Sequence, residues 1–467
     1  MDRLSILDAQ FLHLEDASSP FHIASLCTFD GPVPSREETL RLLAAKLPLM
    51  PRYRKRVRTV PFELGRPVWV DDPHFDLDYH VRRTALPAPG DDAALCALMG
   101  RLMSQLLDRS RPLWEIWIIE GLEGGRWGFV SKVHHSMVDG ISGVELQGVL
   151  LDKERDGKLP ASAPFVPERE PSSVALVLDA WQGLAHDARG VGARLLDSVR
   201  HPAAGARALR DRVVGLAAFT GRLLAMRSGP IQGTIGQHRS YAHASVSLAD
   251  VQAIRRALGG SVNDVVLAAV SGGYRALLAQ RRGDPDRSSV RSLVPVSVRR
   301  PEESGALHNR VSAILCDLPL DVADPVERLR AVRAEMDRLK ATHMAEAGAW
   351  LVELGELAPP MVVGPLTRFI ARAMHQVPQR SLGTVTTNVP GPRETLYFLG
   401  RRMVDWYPYV PITQGLRVGT AILSYNGRLS FGITGDYDTV PDASILARTI
   451  EEEIRDLART AAALKAS

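Results

Sequence analysis

The chain has 467 residues, of which 45% are hydrophobic and 24% charged, and its formal net charge is +4. These values suit a globular protein with a large core, and at roughly 100–200 residues per domain they predict two or three domains. So small a charge, with no nucleic-acid recognition motif, speaks against a nucleic-acid partner.

The cysteines, Cys27, Cys96 and Cys316, are far apart and form no C-x-x-C pair. That fits a reducing compartment and argues against a structural zinc site. The start, Met1-Asp2-Arg3-Leu4, has no basic segment leading into an apolar one, so no secretory signal is expected. No apolar run reaches the length of about 18 residues needed to cross a bilayer.

Taken in chain order, Pro112-Leu113-Trp114 leads into an apolar strand at 115–120. Glu123-Gly124-Gly125 supplies a turn, and Trp127 to Val133 gives a second strand. The pair reads as a hairpin that runs directly into His134-His135-Ser136-Met137-Val138-Asp139-Gly140. Beyond it, Ile141, Val144, Gly148 and Leu151 fall on one helical face. Residues 158–173 are rich in Pro, Ala and Ser and read as a loop. Residues 184–227 carry eight arginines against three aspartates, with apolar residues at helical spacing. They predict basic helices in a linker between two domains.

In the second block, Ser261 opens a helix with Asp264 as its capping-box partner, and Val262, Val266, Ala269, Gly273 and Leu277 form its apolar face. Arg291 to Val298 reads as a strand. Asn426-Gly427 sits between two apolar runs and predicts a two-residue hairpin. The last helix starts near Asp442 and presents Leu446, Ile450, Ile454 and Leu457. The expected organisation is α/β: an N-terminal domain at 1–155, a helical basic linker at 156–235 and a C-terminal domain at 236–467.

The double-histidine segment is the best candidate for chemistry. A general base must be partly neutral near pH 7, and histidine is the default choice. A strand end opening into a loop is a common seat for such a side chain. Asp139 could hold an imidazole or clamp the loop, and Gly140 would relieve a tight turn. A metal site would need a third ligand, and none is evident near the pair. A nucleophile elbow, a phosphate loop and a dinucleotide fingerprint are all missing. A base acting directly on an acceptor is the economical reading.

The chain resembles the bacterial wax ester synthase/diacylglycerol acyltransferase family, in particular its actinobacterial triacylglycerol synthases, nearly end to end. The residues that carry the resemblance are Leu4 to Leu12, Pro112-Leu113-Trp114-Glu115, the histidine motif, Asn263-Asp264-Val265, Val294-Pro295-Val296-Ser297 and Thr387-Asn388-Val389-Pro390-Gly391-Pro392. The resemblance implies two chloramphenicol-acetyltransferase-like domains of the coenzyme A-dependent acyltransferase type, with a tunnel between them. It implies His135 as the base, His134 as its support and Asp139 as a loop clamp. Pro112, Leu113, Trp114, Gly140, Asn263, Asp264, Thr387 and Asn388 are expected at the substrate. Trp114 is equally explained as core, Asn263 and Asp264 as a helix cap, and Asn388 to Pro392 as a rigid turn.

The implied reaction moves an acyl group from long-chain acyl-coenzyme A to diacylglycerol or a long-chain alcohol, with Asn263 or a backbone N–H stabilising the oxyanion. No metal or other cofactor is expected. The implied setting is cytoplasmic, at the inner membrane or a lipid droplet. Two alternatives are a condensation-type enzyme using a carrier-protein-bound donor and an inactive protein that binds the surface of lipid bodies.

Overall fold

The structure, a computed structural model, describes residues 1–137, 147–157, 160, 165–183, 231–281, 283–297, 311–340, 360–376 and 382–466. The basic stretch at 184–227, together with Asp139 and Gly140, lies outside the described residues.

Helix α1 (Ile6–Leu14) starts where the Ser5 hydroxyl accepts the Asp8 N–H at 3.1 Å. Strand β1 (His22–Phe29) follows, then helix α2 (Arg36–Lys46), which opens with a reciprocal capping box between Ser35 and Glu38. The N-terminal half continues through β2 (Val81–Ala85), α3 (Asp92–Met103), β3 (Trp114–Leu122), β4 (Arg126–His134) and a helix at residues 173–183, here α4. The hairpin expected ahead of the histidines is β3–β4. Its connection is the single turn Glu123–Gly125, where Gly124 and Gly125 both take positive φ, at 76° and 71°.

The second half runs β5 (Arg239–Ser247), α5 (Leu248–Leu258), α6 (Val262–Gln280), β6 (Val290–Ser297), β7 (Val311–Leu318), α7 (Pro325–Lys340), α8 (Pro360–Gln376), β8 (Thr384–Val389), β9 (Tyr397–Phe398), β10 (Arg401–Tyr409), β11 (Val418–Tyr425), β12 (Arg428–Asp436) and α9 (Ala443–Ala466). Asn426 and Gly427 have φ of 45° and 78°, the two left-handed residues that a tight β11–β12 hairpin requires. Leu446, Ile450, Ile454 and Leu457 of α9 are all buried, as their spacing predicts.

Most of the strands make two six-stranded mixed sheets, beside a three-stranded and a two-stranded one. The first is ordered β9-β10-β1-β4-β3-β2 and the second β7-β6-β8-β11-β12-β5. The second sheet is covered by α6 and α9, with α5 and α7 beside them. Helix α6 differs from its sequence pattern. The spacing predicts one apolar face, yet every residue from Asp264 to Tyr274 is buried. Its other faces are taken by α7 and α9, so it is a central helix whose run of Val, Leu and Ala suits burial all round.

The sheet order also shows where the halves interlock. Strands β9 and β10 come late in the chain, but β10 pairs antiparallel with β1 in the first sheet, Tyr407 opposite Leu26 and Trp406 opposite Cys27. Phe398 and Trp406 are buried in the first core, among residues such as Phe29, Trp127 and Phe129. Polar contacts reinforce the join. The buried Arg239 guanidinium donates to the carbonyls of Gly236 at 2.8 Å and His238 at 3.0 Å, and to Ser18 O of the first half. Gln414 Nε2 donates to Ser18 Oγ at 2.8 Å.

β12 and β10 approach so closely that a Cβ on Gly432 would lie 1.7 Å from the Pro408 carbonyl oxygen. Backbone cannot yield as a flexible side chain would, so Gly432→Ala is expected to destabilise the protein by about 1–3 kcal/mol, the usual cost of overpacking. Thermal unfolding of the variant checks this. An unchanged melting temperature would mean that the two sheets are not packed this tightly.

Candidate active site

The histidine motif is placed by backbone pairing on both sides. β4 pairs with β1 so that His134 lies opposite His22, and the His134 N–H donates to Leu113 O at 2.9 Å. Pro112-Leu113-Trp114 therefore supports the end of β4 through its main chain. After His134 the chain leaves the strand. His135 opens a single 3₁₀ turn through Met137, and its N–H donates to Phe21 O at 2.8 Å.

His134 is fully buried, and both of its ring nitrogens are engaged. The Ser136 N–H approaches Nδ1 at 3.1 Å, so Nδ1 must accept, and the Ser136 hydroxyl lies 2.7 Å from the same nitrogen. The ring proton is thereby assigned to Nε2, which faces Glu15 Oε2 at 3.1 Å. His135 is half-buried, and its ring lies against Phe11 of α1, centroid to centroid 4.2 Å. Of the two histidines, His134 is wholly buried and His135 only half-buried.

Glu15 is the residue around which this corner is built. It caps the C-terminal end of α1, and its side chain is only 3% exposed. Oε1 accepts two bonds from Arg109, at 3.1 and 2.8 Å, and Arg109 also reaches the Leu12 carbonyl at 2.8 Å. Oε2 accepts the Phe21 N–H at 3.2 Å and faces His134 at 3.1 Å and His22 at 3.4 Å. Burial alone would push this carboxyl up. Hydrogen bonding with His134 and His22 outweighs it and holds Glu15 well below the ordinary carboxylate range. His22 is itself wholly buried, which depresses its pKa to about 3 against the opposing pull of Glu15, so it is neutral at physiological pH. His22 Nε2 also takes the Leu107 N–H at 3.4 Å. Among the described residues, no group of His, Cys, Asp and Glu is gathered to hold a metal ion.

Sequence reasoning missed Glu15, His22, Arg109 and Phe11 as parts of one site. One signal was present. A carboxylate at the C-terminal end of a helix opposes the helix dipole, so an acid there calls for another partner.

The other expected site residues are spread more widely. Trp114 is buried, its Nε1 donating to Tyr53 O at 2.8 Å and its ring stacked on His80 at 4.4 Å, which is a core environment. Asp264 is buried and closes the capping box of α6, taking the Ser261 N–H at 2.7 Å on Oδ2. Asn263 is half-buried in the first turn of α6. Thr387 and Asn388 are half-buried on β8 beside Ala421 and Ile422 of β11. The loop residues Asp139 and Gly140 fall outside the described residues.

Two family models match this chain. Residues 4–266 match the wax ester synthase/diacylglycerol acyltransferase catalytic domain, and residues 307–458 match the C-terminal domain of the same enzymes. The chain belongs to the wax ester synthase/diacylglycerol acyltransferase family. It is 38% identical to a probable diacylglycerol O-acyltransferase, tgs1, of Mycobacterium tuberculosis, over 98% of this chain and 96% of that one. The solved wax ester synthase/diacylglycerol acyltransferase of Marinobacter aquaeolei VT8 superposes with a TM-score of 0.68 at 25% identity, covering 98% of this chain and all of that one (100%). The first condensation domain of the calcium-dependent antibiotic synthetase shares the fold, with a TM-score of 0.59 at 18% identity over 99% of this chain and 96% of that one. The protein is thus an acyltransferase built on the two-domain architecture of the coenzyme A-dependent acyltransferases.

Two measurements probe the buried cluster of this acyltransferase. Because His22 titrates near 3 when folded and near 6.5 otherwise, the unfolded chain binds the extra proton between those values, and stability falls as pH drops through that window. His22→Gln should lower the pH dependence of unfolding free energy between pH 5 and 6 by up to about 1.4 kcal/mol per pH unit. An unchanged slope would place a charged His22 in the native state. Glu15 works in the other window. Its depressed carboxyl contributes fully above the ordinary carboxylate pKa of 4.5 and loses that contribution as the pH falls further. Glu15→Gln should cost about 1–3 kcal/mol at pH 7, less than breaking a fully buried pair because Arg109 is 49% exposed, and the deficit should shrink in acid.

Proposed function

We propose that His135 is the general base in a transfer of a long-chain acyl group from acyl-coenzyme A to the hydroxyl of diacylglycerol or of a long-chain alcohol. The observation that carries this reading is the difference in burial between the histidines: His134 is fully enclosed against Ser136 and Glu15, whereas His135 is half-buried with its ring laid on Phe11. In the reaction, His135 takes the acceptor's hydroxyl proton while the acceptor oxygen attacks the thioester carbonyl. The tetrahedral intermediate collapses with cleavage of the carbon–sulfur bond. The leaving thiolate is reprotonated by the imidazolium, which restores neutral His135.

Asn263 and backbone N–H groups are proposed as oxyanion donors, since developing charge is best met by preorganised dipoles. Asp139 is proposed to clamp the loop after the motif, and an apolar slot between the halves to receive the acyl chain. The family membership supports these roles together with the lipid acceptor. Among the described residues no helix is long and apolar enough to cross a membrane, so we place the enzyme at a lipid surface by peripheral contact.

His135→Ala should lower turnover about 10²–10⁴-fold, the typical worth of a positioned base. His134→Ala should lose activity together with thermal stability, because it empties a buried polar site. Labelled palmitoyl-coenzyme A supplied with dioleoylglycerol and, separately, with hexadecanol measures both effects and identifies the preferred acceptor. Turnover that requires a carrier-protein-bound donor would reassign the enzyme to the condensation type. Equal, mild losses in both folded variants would remove the base from His135.

A further inference from the structure

A buried lysine that the proposed chemistry does not use stands two residues before His134 on β4. Lys132 is wholly enclosed, and alternation along the strand puts its side chain on the same face as that of His134. Its ammonium is directed at main-chain oxygens: Nζ donates to Leu102 O at 2.9 Å and to Gln105 O. Leu102 lies in the last turn of α3 and Gln105 just beyond it, where unpaired carbonyls and the helix dipole favour a cation. A charge kept out of water is costly, so a lysine in this place calls for a use that an apolar side chain could not serve.

The chain around Gln105 supplies that use. Residues 104–113 run as a strap from the end of α3 to the start of β3, and the strap gives a bond to each member of the buried cluster. The Leu107 N–H reaches His22 Nε2 at 3.4 Å. Arg109 donates to Glu15 Oε1 at 3.1 and 2.8 Å. Leu113 O accepts the His134 N–H at 2.9 Å. At the head of the strap, the Ser104 hydroxyl donates to Gly100 O at 2.7 Å and accepts the Arg239 N–H of the second half at 2.9 Å. β4 therefore holds the strap at Lys132 and is held by it two residues later at His134.

We propose that Lys132 is a positioning residue for the acyl transfer: by fastening the strap 104–113 to β4, it fixes the Glu15–His22–His134 cluster, which in turn sets the place of His135. Its effect on turnover rests on the base role proposed for His135. Lys132 itself need touch no substrate. Its long stem carries the ammonium from β4 to the end of α3, and two acceptors three residues apart fix its direction. A strap released there would draw Leu107, Arg109 and Leu113 away from their three partners together. The base would lose its setting, while Asn263, Thr387 and Asn388 in the second half would keep theirs. The loss should therefore fall on the chemical step and spare substrate binding.

The test is Lys132→Met in the full chain, which keeps a long side chain and removes the ammonium. Its kcat with palmitoyl-coenzyme A and dioleoylglycerol should fall about ten- to a hundredfold, the effect of a small misplacement near the reacting groups, while the KM for palmitoyl-coenzyme A changes by less than about twofold. Hydrogen exchange followed by mass spectrometry should show residues 104–113 exchanging at least about tenfold faster, with β12 unchanged. If Lys132→Met does not fold, Ser104→Ala, at a half-buried side chain on the same strap, should give the same pattern at about threefold, and the same outcomes are read from it. An unchanged kcat in the folded variant overturns the proposal even where the melting temperature drops, because the lysine would then serve only as a cap of α3. A raised KM at unchanged kcat overturns it too, as does a lowered kcat with native exchange across 104–113, since that loss would not pass through the strap. Full turnover in His135→Ala, beside a slowed Lys132→Met with a loosened strap, supports positioning by Lys132 and removes the base from His135, so the two fail separately.

Discussion

The pairing of β10 with β1 is the constraint on which the rest of the molecule depends. β1 is flanked by β10 on one edge and by β4 on the other, and β4 ends in the histidine motif. A strand drawn from residues 401–409 therefore helps to position a side chain at residue 135. The first core cannot close without the second half, because Phe398 and Trp406 fill it. Strand pairing satisfies backbone groups cooperatively, and the buried aromatics supply the apolar area that holds the pairing in register. The halves are thus a single folding problem more than two domains placed side by side.

On that scaffold the site is a buried polar cluster, and such clusters are costly unless every member is paired. Glu15 meets that requirement with four partners. Arg109 neutralises it from the half-exposed side, the Phe21 N–H and His134 address the other oxygen, and His22 stays neutral beside it. The result is a rigid corner at the end of β4. His134 cannot rotate without breaking contacts at both nitrogens, and its backbone is fixed by Leu113. His135, the next residue, inherits a defined starting point and a Phe11 ring to rest on.

Helix α1 joins the histidine corner to a surface helix. One end of the helix delivers Phe11 and Glu15 to the histidines, and its His13 meets α8. The helix thus touches the ring of His135 on one side and α8 on the other.

Much of this was legible in the residue order, and for local reasons. The β3–β4 hairpin, the Asn426-Gly427 turn, the Ser261–Asp264 cap and the last helix depend on periodicity and on φ preferences that each segment carries within itself. The histidine motif was the candidate for chemistry because it stands where a strand opens into a loop. What the residue order did not contain was the partner of each strand and charge. Nothing local says that residues 401–409 join β1, that Trp114 stacks in a core, that α6 is covered on every side, or that a glutamate at the end of α1 meets Arg109 and two histidines from three other places in the chain. Those outcomes come from long-range burial, where the lowest free energy is reached by filling one shared core and pairing every buried charge. Only the tertiary structure decides which distant residues do so.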